Sequence, residues 1–302
     1  MPRLFLRDRL LELGFLAVSD SPDGWFRYEP SERTGLRALY FVGCGSNFQA
    51  PGEVVGALRL LQAGGCAITV APNVCCGLPP YSYGDREGAR LLAERNVGIL
   101  TDGEWDVIVT ECGSCSSFLK QYPRLLGANN EGEAAAALSS KVRDITEVLP
   151  ELPLPEPREL RYRVTYHDPC HLGRKQSIRE APRQMLQRIP GVEYVELPEA
   201  DWCCGGAGSF NLTNPELSRM ILKRKIENVR ETRAEMLLTS CPACVIQLSS
   251  GVREVGLRVQ VEHLCEFLAR AHVPDEMQGG RWAEMRGKRA YRADAANRSV
   301  FF

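Results

Sequence analysis

The stretch Asp201-Trp202-Cys203-Cys204-Gly205-Gly206-Ala207-Gly208 places two adjacent thiols in a glycine-rich turn, and Val74-Cys75-Cys76-Gly77-Leu78-Pro79 holds a second such pair. A single cysteine precedes each pair and a CxxC follows it. Ten of the twelve cysteines therefore form two sets of five, whose members are offset by 126 to 129 residues. The first thiol set is Cys44, Cys75, Cys76, Cys112 and Cys115, and the second thiol set is Cys170, Cys203, Cys204, Cys241 and Cys244.

Length, charge and cysteine content limit the classes of protein to which this chain can belong. A chain of 302 residues is long enough for two domains. A net charge of -1 and the absence of a block of like charges argue against a nucleic-acid partner. The segment 4–16 is too rich in charge for a secretory signal, and no apolar run reaches the length of a membrane span, so we expect a cytoplasmic protein. In that reducing compartment, clustered cysteines indicate metal or redox chemistry rather than disulfides.

Apolar runs that end in cysteine or glycine alternate with helical patterns, which predicts parallel sheets. The fold class is therefore α/β, with two duplicated parallel-sheet domains related by pseudo-two-fold symmetry. The predicted strands span 38–42, 67–70, 105–110, 162–166, 193–197 and 234–239. The predicted helices span 4–16, 53–63, 85–100, 114–126, 134–149, 178–189, 215–229 and 243–252.

A proline-rich connector over 150–157 marks the expected boundary between the two domains. The prediction is an N-terminal helical appendage over 1–36, a first domain over 37–150, a second over 151–274, and a basic, loosely ordered tail over 275–302.

In each half the thiols fall at the carboxyl ends of predicted strands and beside helix N-termini, where anions are stabilised. A structural zinc site uses four ligands, and adjacent cysteines are an awkward chelate for one ion. Five soft ligands per half therefore favour an iron-sulfur cluster, with zinc in the first half as the alternative. Cys66 and Cys265 lie in apolar segments outside the repeat and are predicted to be core residues.

The pattern of Cys, Cys-Cys-Gly and CxxC resembles the cysteine-rich CCG-domain family. That family includes the catalytic B-type component of heterodisulfide reductase and the iron-sulfur subunits of glycolate oxidase and lactate utilisation complexes. The runs around Cys75-Cys76-Gly77-Leu78-Pro79 and His167-Asp168-Pro169-Cys170-His171 look like the glycolate oxidase branch. The resemblance implies one 4Fe-4S cluster per half, noncubane in the reductase relatives, held by the two thiol sets.

The glycolate oxidase relatives usually carry an N-terminal ferredoxin domain, whereas this chain has no cysteine before Cys44. We therefore expect a flavoprotein dehydrogenase or a ferredoxin-like iron-sulfur subunit as partner. Beside the thiols, Gly77, Gly205, Gly206 and Gly208 are predicted to let backbone N–H groups approach the cofactor, with simple turn chemistry as the alternative. His167 and His171 could donate protons or hydrogen bonds at the second site, or merely hold the loop.

Three functions are consistent with these residues. The first is the electron-transfer subunit of an oxidoreductase complex, coupled to a flavoprotein that oxidises a 2-hydroxy acid such as glycolate or lactate. The second is a catalytic subunit that reduces a disulfide at noncubane clusters, as in heterodisulfide reductase. The third is a zinc-stabilised scaffold. The lack of a GxGxxG fingerprint fits a subunit that does not itself handle hydride.

Overall fold

Each half of the chain is built around a sheet whose strands alternate with helices. The computed structural model describes residues 6–18, 24–127, 130–206, 208 and 210–274, so the predicted tail over 275–302 lies outside the described residues. The strands are β1 Leu16–Ala17, β2 Phe26–Tyr28, β3 Arg37–Tyr40, β4 Ala67–Val70, β5 Val107–Thr110, β6 Val142–Asp144, β7 Tyr162–His167, β8 Val192–Tyr194, β9 Met236–Thr239 and β10 Gln260–His263. The helices are α1 Arg7–Glu12, α2 Cys44–Phe48, α3 Pro51–Ala63, α4 Leu78–Ser82, α5 Arg86–Leu100, α6 Gly113–Leu119, α7 Tyr122–Leu126, α8 Asn130–Lys141, α9 Ile145–Val148, α10 Cys170–Gly173, α11 Glu180–Gln187, α12 Phe210–Thr213, α13 Pro215–Thr232, α14 Pro242–Glu254 and α15 Leu264–His272.

The two sheets repeat one topology. The strands of the first sheet follow the order β1-β2-β4-β3-β5-β6, and those of the second follow β10-β9-β7-β8. Strands β4, β3, β5 and β6 are parallel to one another, as are β8, β7, β9 and β10. β4, β5 and β9 are buried along their whole length, as expected for parallel strands covered on both faces. The predicted class of two duplicated parallel-sheet α/β domains is confirmed.

The first 36 residues do more than form a helical appendage. The helix predicted over 4–16 is limited, among the described residues, to α1. The turn-rich segment after it contributes β2, which pairs antiparallel with β4 and extends the first sheet. Strand β1 then pairs antiparallel with β2 at the edge. These short strands lacked a recognisable alternating pattern, and the existing edge of β4 supplies the hydrogen bonds that define them.

The helix predicted over 134–149 is wrong, because a strand interrupts it. Helix α8 ends at Lys141, and β6 then pairs in parallel with β5. The Asp144 side chain caps α9 by accepting the Thr146 N–H, while the Glu147 carboxylate accepts the Asp144 N–H. The helical pattern on both sides concealed a three-residue strand, since pairing with a distant strand overrides local propensity.

Smaller differences concern element ends and one unpredicted segment. The predicted helix over 114–126 divides into α6 and α7, with a proline in the first turn of α7. The strand predicted over 193–197 lies at Val192–Tyr194 instead. The prediction contained neither β10 nor α15, which complete the second sheet and cover it.

The two halves share their cores because helices of one half pack against helices of the other. Helix α15 of the second half packs on α3 of the first, and α9 of the first half contacts α11 of the second. A side chain at Gly56 would bring its Cβ to 2.8 Å from the Cys265 carbonyl oxygen, so glycine permits the close approach of α3 and α15. Both hydrophobic clusters contain residues from each half. The two sheets are therefore held in a fixed relation.

Among the described residues, none of the helices has both the length and the apolar character needed to cross a bilayer.

Candidate metal centre

Four of the thiols lie where a strand gives way to a helix. Cys44 and Cys170 are the first residues of α2 and α10, just beyond β3 and β7. Cys112 and Cys241 are the N-cap residues of α6 and α14, just beyond β5 and β9. Because these four strands run parallel within their sheets, their thiols meet at one edge of each sheet, beside unpaired helical N–H groups.

The adjacent cysteines depend on glycine for their turn. Gly77 and Gly205 follow the pairs with φ of 95° and 85°, a left-handed conformation that favours glycine. The Gly205 N–H donates a hydrogen bond of 3.3 Å to Cys203 Sγ, which places this backbone group against a candidate ligand sulfur. A Cβ at Gly206 would lie 2.9 Å from Gln247 Cβ, so this glycine permits close packing on α14. Gly208 is exposed with φ of 57°, and nothing lies within 4 Å of its Cβ position.

The five thiols of the first set converge on one another. Cys75 Sγ lies 3.8 Å from Cys44 Sγ. The Cys76 thiol interacts with those of Cys115 and Cys75, and both neighbours lower its pKa well below the ordinary range. Cys112 completes the chain of contacts through Cys115. One sulfur in the set is thus stabilised as a thiolate by the S–H groups around it.

The second set is arranged in the same way. Cys204 Sγ lies 3.6 Å from Cys244 Sγ. The Cys170 and Cys204 thiols lower the pKa of Cys203 to about 2, because both stabilise its thiolate. Cys241 interacts with Cys244 within the set.

The two sets meet at the interface between the halves. The Cys112 thiol contacts that of Cys241 and is the largest cause of the lowered pKa of Cys241. Ser114, inside the first CxxC, places its Oγ 3.6 Å from Cys241 Sγ and 3.4 Å from His171 Nδ1. The Gly113 N–H donates a hydrogen bond of 3.1 Å to the Ser240 carbonyl oxygen. The ten thiols therefore form one continuous group.

A comparison with known families matches residues 38–120 and 164–249 to the cysteine-rich domain named CCG. The chain belongs to the CCG family. Each match contains one complete thiol set, and the resemblance inferred from the sequence is confirmed. We refer below to the two matched ranges as the first and second CCG domains.

Proteins similar to this chain include components of several oxidoreductase systems. A probable glycolate oxidase iron-sulfur subunit of Bacillus subtilis is 34% identical over 78% of this chain and 54% of its own length. One component of a fumarate reductase (CoM/CoB) of Methanothermobacter marburgensis is 32% identical over 81% of this chain and 48% of its own. The chain thus spans about half the length of these relatives. Lactate utilization protein A of Oceanobacillus iheyensis is 31% identical over 77% of this chain and 96% of its own.

A solved structure of another protein shares the fold. A hypothetical protein from Helicobacter pylori superposes with a TM-score of 0.59 at 10% identity, over 90% of this chain and 55% of that one. At this identity the likeness concerns the fold alone.

The CCG thiols divide into an outer and an inner group. One member of each adjacent pair and the leading cysteine of each domain are half-buried, and these are Cys44, Cys75, Cys170 and Cys203. The remaining six are buried. Two cysteines of each set are therefore partly exposed to solvent.

The donor set fits a metal cofactor with soft ligands. All twelve cysteines are free, and the Sγ separations of 3.6 Å and 3.8 Å far exceed a disulfide bond. Ten thiols lie together beyond the carboxyl ends of the parallel strands, and some of them are stabilised as thiolates. Such a set of ligands suits iron or zinc. Cys66 and Cys265 lie instead in the other hydrophobic cluster, as predicted for core residues.

The histidines differ in their surroundings. His167 is fully buried with both ring nitrogens unpartnered, and one nitrogen lies within 4.8 Å of Cys204 Sγ and Cys244 Sγ. Burial lowers its pKa to about 3, so the ring is neutral. His171 Nδ1 lies 3.7 Å from Cys170 Sγ, and burial lowers its pKa as well. Both rings face the second thiol set.

Three supporting residues had no signal strong enough for the sequence analysis. Asn96 accepts the Val74 N–H and donates to the Cys75 carbonyl oxygen, which fixes the loop that carries the first pair. The Tyr122 hydroxyl donates a bond of 2.7 Å to the Cys76 carbonyl oxygen. Lys225 donates to the Glu199 and Ala200 carbonyl oxygens, in the loop ahead of the second pair. A polar residue on the buried stripe of an amphipathic helix is the signal that could have revealed Asn96 and Lys225.

Proposed function

We propose that this chain is an iron-sulfur electron-transfer subunit of an oxidoreductase complex, with one cluster held by each thiol set. The observation that carries the proposal is the convergence of two five-thiol sets that touch through Cys112 and Cys241. Five thiolates exceed the four ligands of a structural zinc ion, and adjacent cysteines suit separate irons. An iron-sulfur cluster takes up and releases single electrons.

The protein's own residues would supply the remaining properties of the sites. The helix N-termini at Cys112 and Cys241 face the anionic sulfur centres. The Gly205 N–H donates to Cys203 Sγ, which stabilises negative charge on that sulfur. The close approach of the two sets provides a short path between them. A function in which one site receives electrons and the other passes them on follows from that proximity.

The electron donor we propose is a flavoprotein that oxidises a 2-hydroxy acid of the glycolate or lactate type. This rests on the similarity to the Bacillus subtilis and Oceanobacillus iheyensis proteins named above. A ferredoxin-like iron-sulfur protein is the proposed second carrier, in the cytoplasm. Purified alone, the chain should not oxidise hydroxy acids, and it should become reduced by lactate or glycolate only when the flavoprotein is added.

Metal analysis and EPR of anaerobically purified protein test the proposal. We expect iron and acid-labile sulfide, with signals from both sites. Cys204→Ser should abolish the signals of the second site and leave those of the first, whereas the matched control Cys265→Ser should change neither. A protein that contains zinc and no sulfide would refute the proposal and favour the zinc-stabilised scaffold.

The zinc alternative has an observation in its favour in the second domain. Two ligands about 2.3 Å from a tetrahedral ion lie about 3.8 Å apart, which is close to the Cys204 to Cys244 separation of 3.6 Å. His167 has a nitrogen within 4.8 Å of both sulfurs and would make a mixed set of the kind zinc takes. The metal content therefore decides the matter.

Disulfide reduction is the second candidate activity, favoured by the half-buried cysteines in both domains. A substrate sulfur would need to reach the iron beside these cysteines, and His171, whose Nδ1 lies 3.7 Å from Cys170 Sγ, is placed to hydrogen-bond a product thiolate. The test is thiol release when the reduced protein meets a disulfide. Oxidation of the protein without thiol release would exclude this activity.

A further inference from the structure

The two thiol sets are supported by equivalent helices that carry different residues. The buried stripe of α5 contains Ala89, Ala93, Asn96, Val97 and Leu100. The stripe of α13 contains Ser218, Leu222, Lys225, Ile226 and Val229, at the same offset that separates Cys112 from Cys241. Asn96 and Lys225 therefore occupy the same position beneath the two cysteine pairs.

This difference places a cation in the second domain at the helix position where the first domain has the neutral amide of Asn96. Lys225 is 2% exposed, and its Nζ donates to two backbone carbonyl oxygens, 3.4 Å away in the case of Ala200. Among the charges that act on the Lys225 ammonium, Cys204 has the largest effect. Asn96 is equally buried but carries no charge. A single buried cation is a strong local charge, because little solvent screens it.

The residue three positions before the leading cysteine also differs. Phe41 takes this position in the first domain and His167 takes it in the second, and both side chains are fully buried. The His167 nitrogens have no hydrogen-bond partner, and one of them lies close to Cys204 Sγ and Cys244 Sγ. The second site thus has a polar ring where the first has a phenyl group.

Nearby carboxylates do not cancel the lysine charge. The buried Asp168 is paired at two oxygens with Arg183, both at 2.9 Å. The Glu199 side chain pairs with Arg224. Asp201 lies 3.4 Å from Arg179. Two buried carboxyls of the first half, Glu111 and Glu53, act on Cys112 and Cys241 respectively, one in each set, and burial raises the pKa of both.

We infer that the second thiol set is the higher-potential, electron-accepting site of the pair, and that Lys225 sets its potential. The inference rests on the proposed function, in which both sets hold iron-sulfur clusters. Reduction adds one negative charge to a thiolate-ligated centre, and a fixed cation stabilises the reduced form more than the oxidised form. One electron leaves the first site and one arrives at the second, so the step is balanced without a further reactant.

Redox titration of the loaded protein, followed by EPR, tests the inference. Lys225→Met should lower the midpoint potential of one signal only, that of the second site. At fixed ambient potential we expect the ratio of reduced to oxidised second site to fall at least tenfold, which corresponds to about 59 mV for one electron. Lys223→Met is the matched control, since Lys223 is exposed on the same helix and should leave both potentials unchanged.

Three further variants separate the effect of the charge from other effects of the substitution and assign the signals. Lys225→Arg keeps the charge and should retain the potential of the second site even if the loop shifts. Cys76→Ser and Cys204→Ser, each measured alone, assign the signals that remain to the second and first sites respectively. A second site with the lower potential, or equal second-site potentials in Lys225→Met and Lys223→Met, would overturn this inference while iron and sulfide remain. A protein without iron and sulfide would overturn the proposed function as well.

Discussion

The contact between α3 and α15 holds the two halves together, and Gly56→Ala tests it. The added Cβ would lie 2.8 Å from the Cys265 carbonyl oxygen, 2.9 Å from its carbonyl carbon and 3.0 Å from the Glu266 nitrogen. All three are backbone atoms of a packed helix, so the helices must separate. Overpacking of this kind costs about 2 kcal/mol.

The higher helix propensity of alanine relative to glycine offsets part of this overpacking cost. Alanine stabilises a helix interior by about 1 kcal/mol relative to glycine. The expected net loss for Gly56→Ala is therefore about 1 kcal/mol. Gly98→Ala is the matched control, because Gly98 is exposed in α5 with nothing within 4 Å of its Cβ position. It should gain about 1 kcal/mol, so the two variants should differ by about 2 kcal/mol.

Urea unfolding followed by circular dichroism measures the difference. With a slope of about 3 kcal/mol per molar, the midpoint should fall by roughly 0.3 M for Gly56→Ala and rise by a similar amount for Gly98→Ala. A Gly56→Ala protein as stable as Gly98→Ala would refute the reasoning, since it would show that α3 and α15 can separate without cost.

Two further predictions concern buried charge. His263 is fully buried, its Nδ1 accepts the Cys265 N–H, and burial lowers its pKa to about 4. Because the fold requires the neutral ring, the contribution of His263 to the free energy of unfolding is complete above pH 6.5, and about 3 kcal/mol is lost as the pH falls towards 4. His263→Asn keeps an acceptor that caps the helix and should remove that part of the pH dependence. Urea midpoints that fall equally with pH in both proteins would contradict this prediction. Arg183→Met should cost about 3 to 5 kcal/mol by leaving the Asp168 carboxylate buried without its partner. Adding Asp168→Asn should restore part of the loss in the same unfolding assay, and no recovery would contradict the ion-pair explanation.

Much of the candidate site was predictable because it depends on local spacing. The cysteine pattern predicted which ten thiols would converge, and the structure brings each set together. Glycine after each adjacent pair indicated a turn, and Gly77 and Gly205 adopt the conformation that glycine permits. Cys66 and Cys265 were separated from the candidate ligands because they lie in apolar segments outside the repeat, and both belong to the other hydrophobic cluster.

Other features were not predictable from local pattern. Strand β6 is only three residues long, and it is stabilised by parallel backbone pairing with β5. Helix α15 followed no cysteine motif, yet it packs against the first half. In the sequence, Lys225 is one of several charged residues on an amphipathic helix, and its pattern does not show that its side chain is buried near the second cysteine pair.

By itself, the amino-acid sequence determined the duplication, the alternation of strands and helices, and the identity of the candidate sulfur ligands. The alternation leaves a periodic signal along the chain, and the duplication is visible because the same cysteine spacing recurs 126 to 129 residues later. Only the tertiary structure decided that the two thiol sets touch, that helices of the two halves pack against each other, and that a buried lysine and a buried histidine lie beside the second set. Such relations join residues far apart in the chain, and they depend on how two sheets pack, which no local pattern encodes.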